Sequence, residues 1–192
     1  MKKVYIIHGW GGNPDEGQLK WLREQLTQKG FEVIAPEMPD TENPEIKKWV
    51  GYLSKIAKDA DENSYFIGHS IGCQTIVRYL EKAGKKVGGV VCIAGWLTRL
   101  TGDLGEEEVA IAKPWIETPI DFEKVKKATK NFVAVFSDND PYVLLNENKK
   151  LFEEKLGAKI FVDHEKGHYT EDDGVFEHPT ALKALLNLTA KS

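Results

Sequence analysis

A chain of 192 residues with 41% apolar and 29% charged residues can bury one sizeable core, and it has neither the low hydrophobicity nor the charge excess of a disordered segment. Its 26 basic and 30 acidic residues leave a formal charge of −4 and are interspersed, which argues against a phosphate-tracking surface and so against nucleic acid as a partner. The apolar run in "MKKVYIIHG" breaks at His8, too early for a signal peptide or a membrane span, and no other stretch suggests a membrane.

In chain order, six short runs rich in Val, Ile, Phe and Tyr read as buried strands: "KVYIIHG", "FEVIAP", "SYFIGH", "GGVVCIAG", "NFVAVFS" and "AKIFVD". Amphipathic stretches separate them. "GQLKWLREQLTQKG" sets Leu19, Leu22 and Leu26 on one face, and "NPEIKKWVGYLSKIAKDA" does the same with Ile46, Trp49, Val50, Leu53 and Ile56. "IGCQTIVRYLEKAG", "NENKKLFEEKLG" and "HPTALKALLNLTAK" give three more helices. Such alternation predicts a single α/β domain whose mostly parallel sheet is covered on both faces. Residues 95 to about 130 interrupt the rhythm and are expected to form an insertion of one or two short helices beside the site. Cys73 and Cys92 lack C-x-x-C spacing and read as two buried, reduced thiols, which suits a cytoplasmic location.

Chemistry concentrates at Gly68-His69-Ser70-Ile71-Gly72, a G-x-S-x-G between a predicted strand and a predicted helix. A strand-to-helix turn there lifts the serine hydroxyl above the sheet, and the glycines two residues either side relieve the crowding. The competing reading makes Ser70 an ordinary helix N-cap. A serine hydroxyl needs a base and a group that orients the base, and in this architecture the order along the chain is Ser, acid, His. "DNDPYV" follows the fifth strand and offers Asp140, held extended by Pro141, with Asp138 in reserve. Either carboxylate could instead close an Asx-turn or cap the next helix.

"DHEKGHYTEDDG" contains His164, Glu165 and His168 as H-E-x-x-H, the spacing of a zinc peptidase on a helix. Here the motif follows a strand, holds Gly167 and has no helical apolar period, so no metal is expected. His168, after a glycine in a loop leading to the last helix, is the candidate base. His164 is expected at the surface and His178 at the start of that helix, while His8 and His69 are expected to be packed or hydrogen-bonded. "HGWGG" ends the first strand, so the backbone N–H of Trp10 and that of Ile71 are the candidate oxyanion donors. Gly9, Trp96 and Trp115 are expected around the substrate, and Trp21 and Trp49 in the core.

With Ser70, Asp140 and His168 in that order, the chain resembles small α/β-hydrolases, and more narrowly the compact serine hydrolases grouped with retinoblastoma-binding protein nine. The likeness runs nearly end to end, through the glycine turn after the first strand, "MPD", "GHS", "KPW", "F-E-K-V-K", the acid turn and the final "GH". It implies about six parallel strands, no large lid domain and Ser-His-Asp hydrolysis. His8 and Trp10 depart from it toward the H-G-x-G of general esterases, which bears on the oxyanion geometry.

The resulting expectation is hydrolysis of a small ester, thioester or activated amide through an acyl-enzyme, without a cofactor. An aminopeptidase or acyltransferase on the same residues, or a protein-binding module that keeps only the scaffold, remain the alternatives. The expected partner is a small-molecule substrate; nothing indicates a protein partner.

Overall fold

The computed structural model describes residues 1–190. Six strands, β1 (Lys3–Ile7), β2 (Glu32–Ile34), β3 (Ser64–His69), β4 (Gly89–Ile93), β5 (Phe132–Ser137) and β6 (Lys159–Asp163), form one sheet in the order β2-β1-β3-β4-β5-β6. Every neighbouring pair is parallel. Among the described residues, seven helices surround it: α1 (Gly17–Gln28), α2 (Ile46–Ile56), α3 (Ile71–Ala83), α4 (Glu106–Glu117), α5 (Phe122–Ala128), α6 (Leu145–Leu156) and α7 (Pro179–Thr189). The predicted insertion contains α4 and α5.

Side chains alternate across the sheet with period two and so divide the core. Tyr5, Ile7, Phe66, Cys92 and Phe136 face Trp49, Leu53, Ile76, Leu80 and Phe152 on one side. Val4, Ile6, Ile67, Val91 and Val135 face Leu19, Leu22, Leu26 and Leu185 on the other. The three strands β3, β4 and β5 are buried along their whole length, which is why they read as continuous apolar runs. From β1 the chain first steps outward to β2 and then returns to β3 on the opposite side. Ligand crevices form outside the carboxyl ends of strands at such a reversal.

That reversal packs tightly. A Cβ on Gly72, in the first turn of α3, would lie 2.4 Å from the Ile7 carbonyl oxygen and 2.7 Å from that of His8. One on Gly68 would lie 2.7 Å from the Cys73 nitrogen. Glycine at both positions lets α3 settle against the end of β1.

Two buried histidines stiffen the periphery of this packing. His8 Nε2 accepts the Met38 N–H at 2.9 Å, so its Nδ1 carries the proton and donates to the Gly9 carbonyl at 2.7 Å. His178 opens α7 as expected, its Nδ1 accepting the Ala181 N–H at 3.4 Å while its ring stacks on Tyr169 at 4.6 Å. Burial lowers the His8 value and drives that of His178 down to about 4.

Replacing Gly72 by alanine is expected to destabilise the fold by about 1–3 kcal/mol in urea unfolding, because the added methyl meets backbone that cannot step aside. Gly51→Ala in α2, where nothing lies within 4 Å, should instead stabilise by up to about 1 kcal/mol. A second expectation concerns acid. The folded protein keeps His178 neutral while the unfolded chain protonates it near pH 6.5, so below that pH the unfolded state binds the extra proton. Stability should therefore fall as the pH drops from 6.5 toward 4, by roughly 1.4 kcal/mol per unit for this one group. Denaturation midpoints across that range should show the loss, and His178→Asn, which caps a helix without titrating, should remove its share while leaving that of the buried His8 and His69.

Candidate active site

At the end of β3 the chain enters α3 through Ser70, whose φ of 53° and ψ of −121° place an L-residue in a strained region. Ser70 N–H donates to the Ile93 carbonyl at 2.9 Å, which ties the turn to the end of β4. Although Ser70 occupies the N-cap position, its hydroxyl makes no capping bond, so the N-cap reading of this serine does not hold. The hydroxyl instead borders a cleft of about 800 Å³, shared with His168, Gly9, Trp10, Leu100 and Tyr142.

Asp140 follows β5, and its two oxygens divide the labour. Oδ1 accepts the N–H groups of Tyr142 and Val143 at 2.9 and 3.0 Å, which is the Asx-turn alternative realised. Oδ2 contacts His168 Nδ1 at 2.8 Å, with only 2% of the Asp140 side chain and 12% of that of His168 exposed. The carboxylate thus fixes the imidazole with Nδ1 as donor and leaves Nε2 as the acceptor nitrogen. Ser70 Oγ and the His168 ring make no direct hydrogen bond among the described residues; both residues line the cleft.

Asp138, the reserve acid, goes elsewhere. It holds His164 Nδ1 at 2.6 Å and the Glu165 N–H at 2.8 Å, outside the cleft. Hydrogen bonds from the Glu165 N–H and from His164 keep its carboxyl below the ordinary carboxylate value, and the Asp138 hydrogen bond raises His164. The two histidines of H-E-x-x-H therefore serve separate aspartates, on a loop of bends and turns with no helix through it. Among the described residues, no three His, Cys, Asp or Glu side chains are grouped so as to hold a metal ion.

The loop that carries His168 is pinned by groups that the pattern of the sequence did not single out. Asn139 Oδ1 accepts the Gly167 N–H at 2.8 Å, Ser137 Oγ accepts that of Lys166 at 2.9 Å, and Asp173 Oδ2 accepts that of His168 at 2.8 Å. His69, buried beside Ser70, donates from Nε2 to the His168 carbonyl at 2.8 Å, with the two rings 5.0 Å apart. Burial, reinforced by His168, lowers His69 to about 3, so this second imidazole stays neutral and is a poor proton acceptor at neutral pH. Only the end of the loop in sequence, "KGHY", gave a signal for any of this.

Gly9 lies under the elbow: a Cβ there would stand 2.9 Å from His69 Nδ1 and 3.4 Å from Ser70 Cβ. Its neighbour Trp10 lines the cleft and donates its indole N–H to the Glu42 carbonyl at 2.9 Å. Ile71 is the first residue of α3, where backbone N–H groups lack a helical acceptor.

Two expected wall residues do not line the cleft. Trp96 and Trp115 are each 1% exposed and belong to the core. Trp115 donates to the Pro44 carbonyl at 2.9 Å and packs edge-on to Trp49, while the buried Arg78 guanidinium donates to the Trp115 and Thr118 carbonyls at 2.8 and 2.9 Å. The indoles anchor the insertion, because burying them removes more apolar surface from water than lining an open cleft would. The stretch around the start of α4, not the tryptophans, borders the cleft, through Leu104, Glu106, Glu107 and Ile111.

The chain resembles known proteins over nearly its whole length. The YdeN protein of Bacillus subtilis (strain 168) is 27% identical over 192 residues, covering 99% of this chain and 97% of that one. The crystal structure of the ydeN gene product superposes with a TM-score of 0.90 at 25% identity, over 99% of this chain and all of that one. The serine hydrolase RBBP9 of Rattus norvegicus is 28% identical over 170 residues, 87% of each chain. A monoacylglycerol lipase of Paleococcus ferrophilus shares the fold, with a TM-score of 0.70 at 19% identity, over 99% of this chain and 95% of that one. The profile of the serine hydrolase family matches residues 4–187, and the chain accordingly belongs to that family and is a hydrolase with the α/β-hydrolase fold.

Proposed function

We propose that the protein cleaves a small ester, thioester or activated amide through an acyl-enzyme formed on Ser70. The observation that carries this reading is the buried Asp140–His168 contact of 2.8 Å on the cleft that also contains the strained Ser70. His168 Nε2 takes the hydroxyl proton as Ser70 Oγ bonds to the acyl carbon, and the protonated ring then gives that proton to the departing alcohol, thiol or amine. Water attacks the acyl-enzyme by the same exchange, releasing the acid and restoring the serine. Asp140 holds the ring in the tautomer that leaves Nε2 free, and stabilises the imidazolium. The backbone N–H groups of Trp10 and Ile71 receive the oxyanion, a role that fits the end of β1 and the start of α3.

Labelling with a fluorophosphonate, followed by mass spectrometry, should place the adduct on Ser70, and a short p-nitrophenyl ester should turn over. Ser70→Ala should abolish labelling and reduce turnover by several orders of magnitude; labelling that persists in it would remove the serine from the mechanism. The choice of acid has its own check: Asp140→Asn should lower kcat by up to about 10⁴-fold, whereas Asp138→Asn should leave it within about one order of magnitude. The reverse ranking would transfer the role to Asp138.

A further inference from the structure

Two imidazoles line the serine cleft, and the reaction proposed above uses only that of His168. The other belongs to His69, which is 8% exposed and whose tautomer is fixed by its surroundings. A carbonyl oxygen can only accept, so the 2.8 Å contact of Nε2 with the His168 carbonyl puts the proton on Nε2 and makes Nδ1 an acceptor. Nδ1 receives no hydrogen bond from any described residue. Nor is it one of the polar atoms sealed in the interior without a partner, which are Gln18 Oε1, Trp96 Nε1 and His178 Nε2. It therefore keeps accessible surface.

A second observation shows where that surface faces. A Cβ on Gly9 would stand 2.9 Å from His69 Nδ1, closer than carbon packs against a ring nitrogen, and 3.4 Å from Ser70 Cβ. Gly9 lines the cleft, and its backbone is not in the left-handed region, so its missing side chain serves space and not conformation. The gap that a methyl would close leads to Nδ1 on one side and to the nucleophile on the other. Because burial lowers the His69 value to about 3, the ring stays uncharged and its open lone pair stays an acceptor. An acceptor buried to this degree without a donor is costly, and a ligand hydrogen would remove the cost.

We infer that His69 Nδ1 is a specificity-determining acceptor for a hydroxyl on the acyl part of the substrate, so that the preferred substrates are esters or thioesters of 2-hydroxy acids. The link to turnover rests on the hydrolytic mechanism proposed above, while the hydrogen bond itself does not require it. The donor belongs on the carbon next to the acyl carbon, because one small gap borders both Nδ1 and the Cβ of the serine that would carry the acyl group. A hydroxyl suits that gap better than an acylated N–H, since it adds one oxygen and brings no further substituent against Gly9.

The test compares N-acetylcysteamine thioesters of 2-hydroxypropanoic, 2-methoxypropanoic and propanoic acids, each kcat/KM being divided by the rate with hydroxide to remove intrinsic reactivity. The hydroxy thioester should exceed both others by about threefold or more, within the range of one net hydrogen bond. A smaller margin would overturn the preference. Gly9→Ala should bring the three toward equality, because its methyl closes the approach to Nδ1 without touching the bond from Nε2 to the His168 carbonyl. The bond itself is read in Ser70→Ala from the nitrogen-15 resonance of His69 Nδ1, identified by its loss on adding His69→Gln. Saturating 2-hydroxypropanamide should shift that resonance and propanamide should not. An absent shift would overturn the assignment to His69, whatever the thioesters show. A shift without turnover of any thioester or ester would preserve the hydrogen bond and overturn the hydrolytic reading instead.

Discussion

The close approach of α3 to the end of β1 is the constraint on which the site depends. Because only hydrogen fits between Gly72 and the carbonyls of Ile7 and His8, the helix can start immediately after β3, and Ser70 must take up the whole change of direction. Its strained backbone is held by the Ile93 carbonyl on one side and by the helix on the other. The same approach brings Gly9 under His69 and Ser70, so the first glycine turn and the elbow form one packed unit. The cleft on which Ser70 and His168 stand could not be placed without it.

Around that unit, the histidine loop is set by hydrogen bonds to its backbone more than by side-chain packing. Asn139, Ser137, Asp173 and His69 each engage main-chain groups of residues 166–168, and Asp140 then orients the one side chain that faces the cleft. The exposed pairing of Asp138 with His164 belongs to this scaffold, for Asp138 also secures the Glu165 N–H. Two aspartates of one turn thus hold one loop at two points, and of the residues they bind only His168 borders the cleft.

Much of this architecture was legible in the chain because period and punctuation report burial directly. The six apolar runs are the six strands, and the leucine stripe of "GQLKWLREQLTQKG" packs where its spacing implied. The serine turn was legible for the same reason, since its two glycines record a steric limit. The choice between Asp138 and Asp140 rested on Pro141 and on the likeness of D-P-Y-V to the D-x-x-V acid step of such hydrolases, as two carboxylates on one strand end look alike until the turn is folded. Trp96 and Trp115 were misplaced because position along the chain says that a residue is near the cleft but not which way its side chain faces. Ser137, Asn139 and Asp173 gave no signal at all: their bonds to the backbone of residues 166–168 exist only once the end of β5 and the histidine loop are brought together.

The attachment of α4 separates two properties that usually trade against each other. Its far end is fastened by Arg78 and by the Trp115 indole to parts of the molecule away from the serine, while its opening turn borders the cleft through exposed polar positions. Changes in that opening turn alter what the enzyme admits without loosening the anchor. In a lineage that keeps the anchor, diet can drift while the framework stays the same.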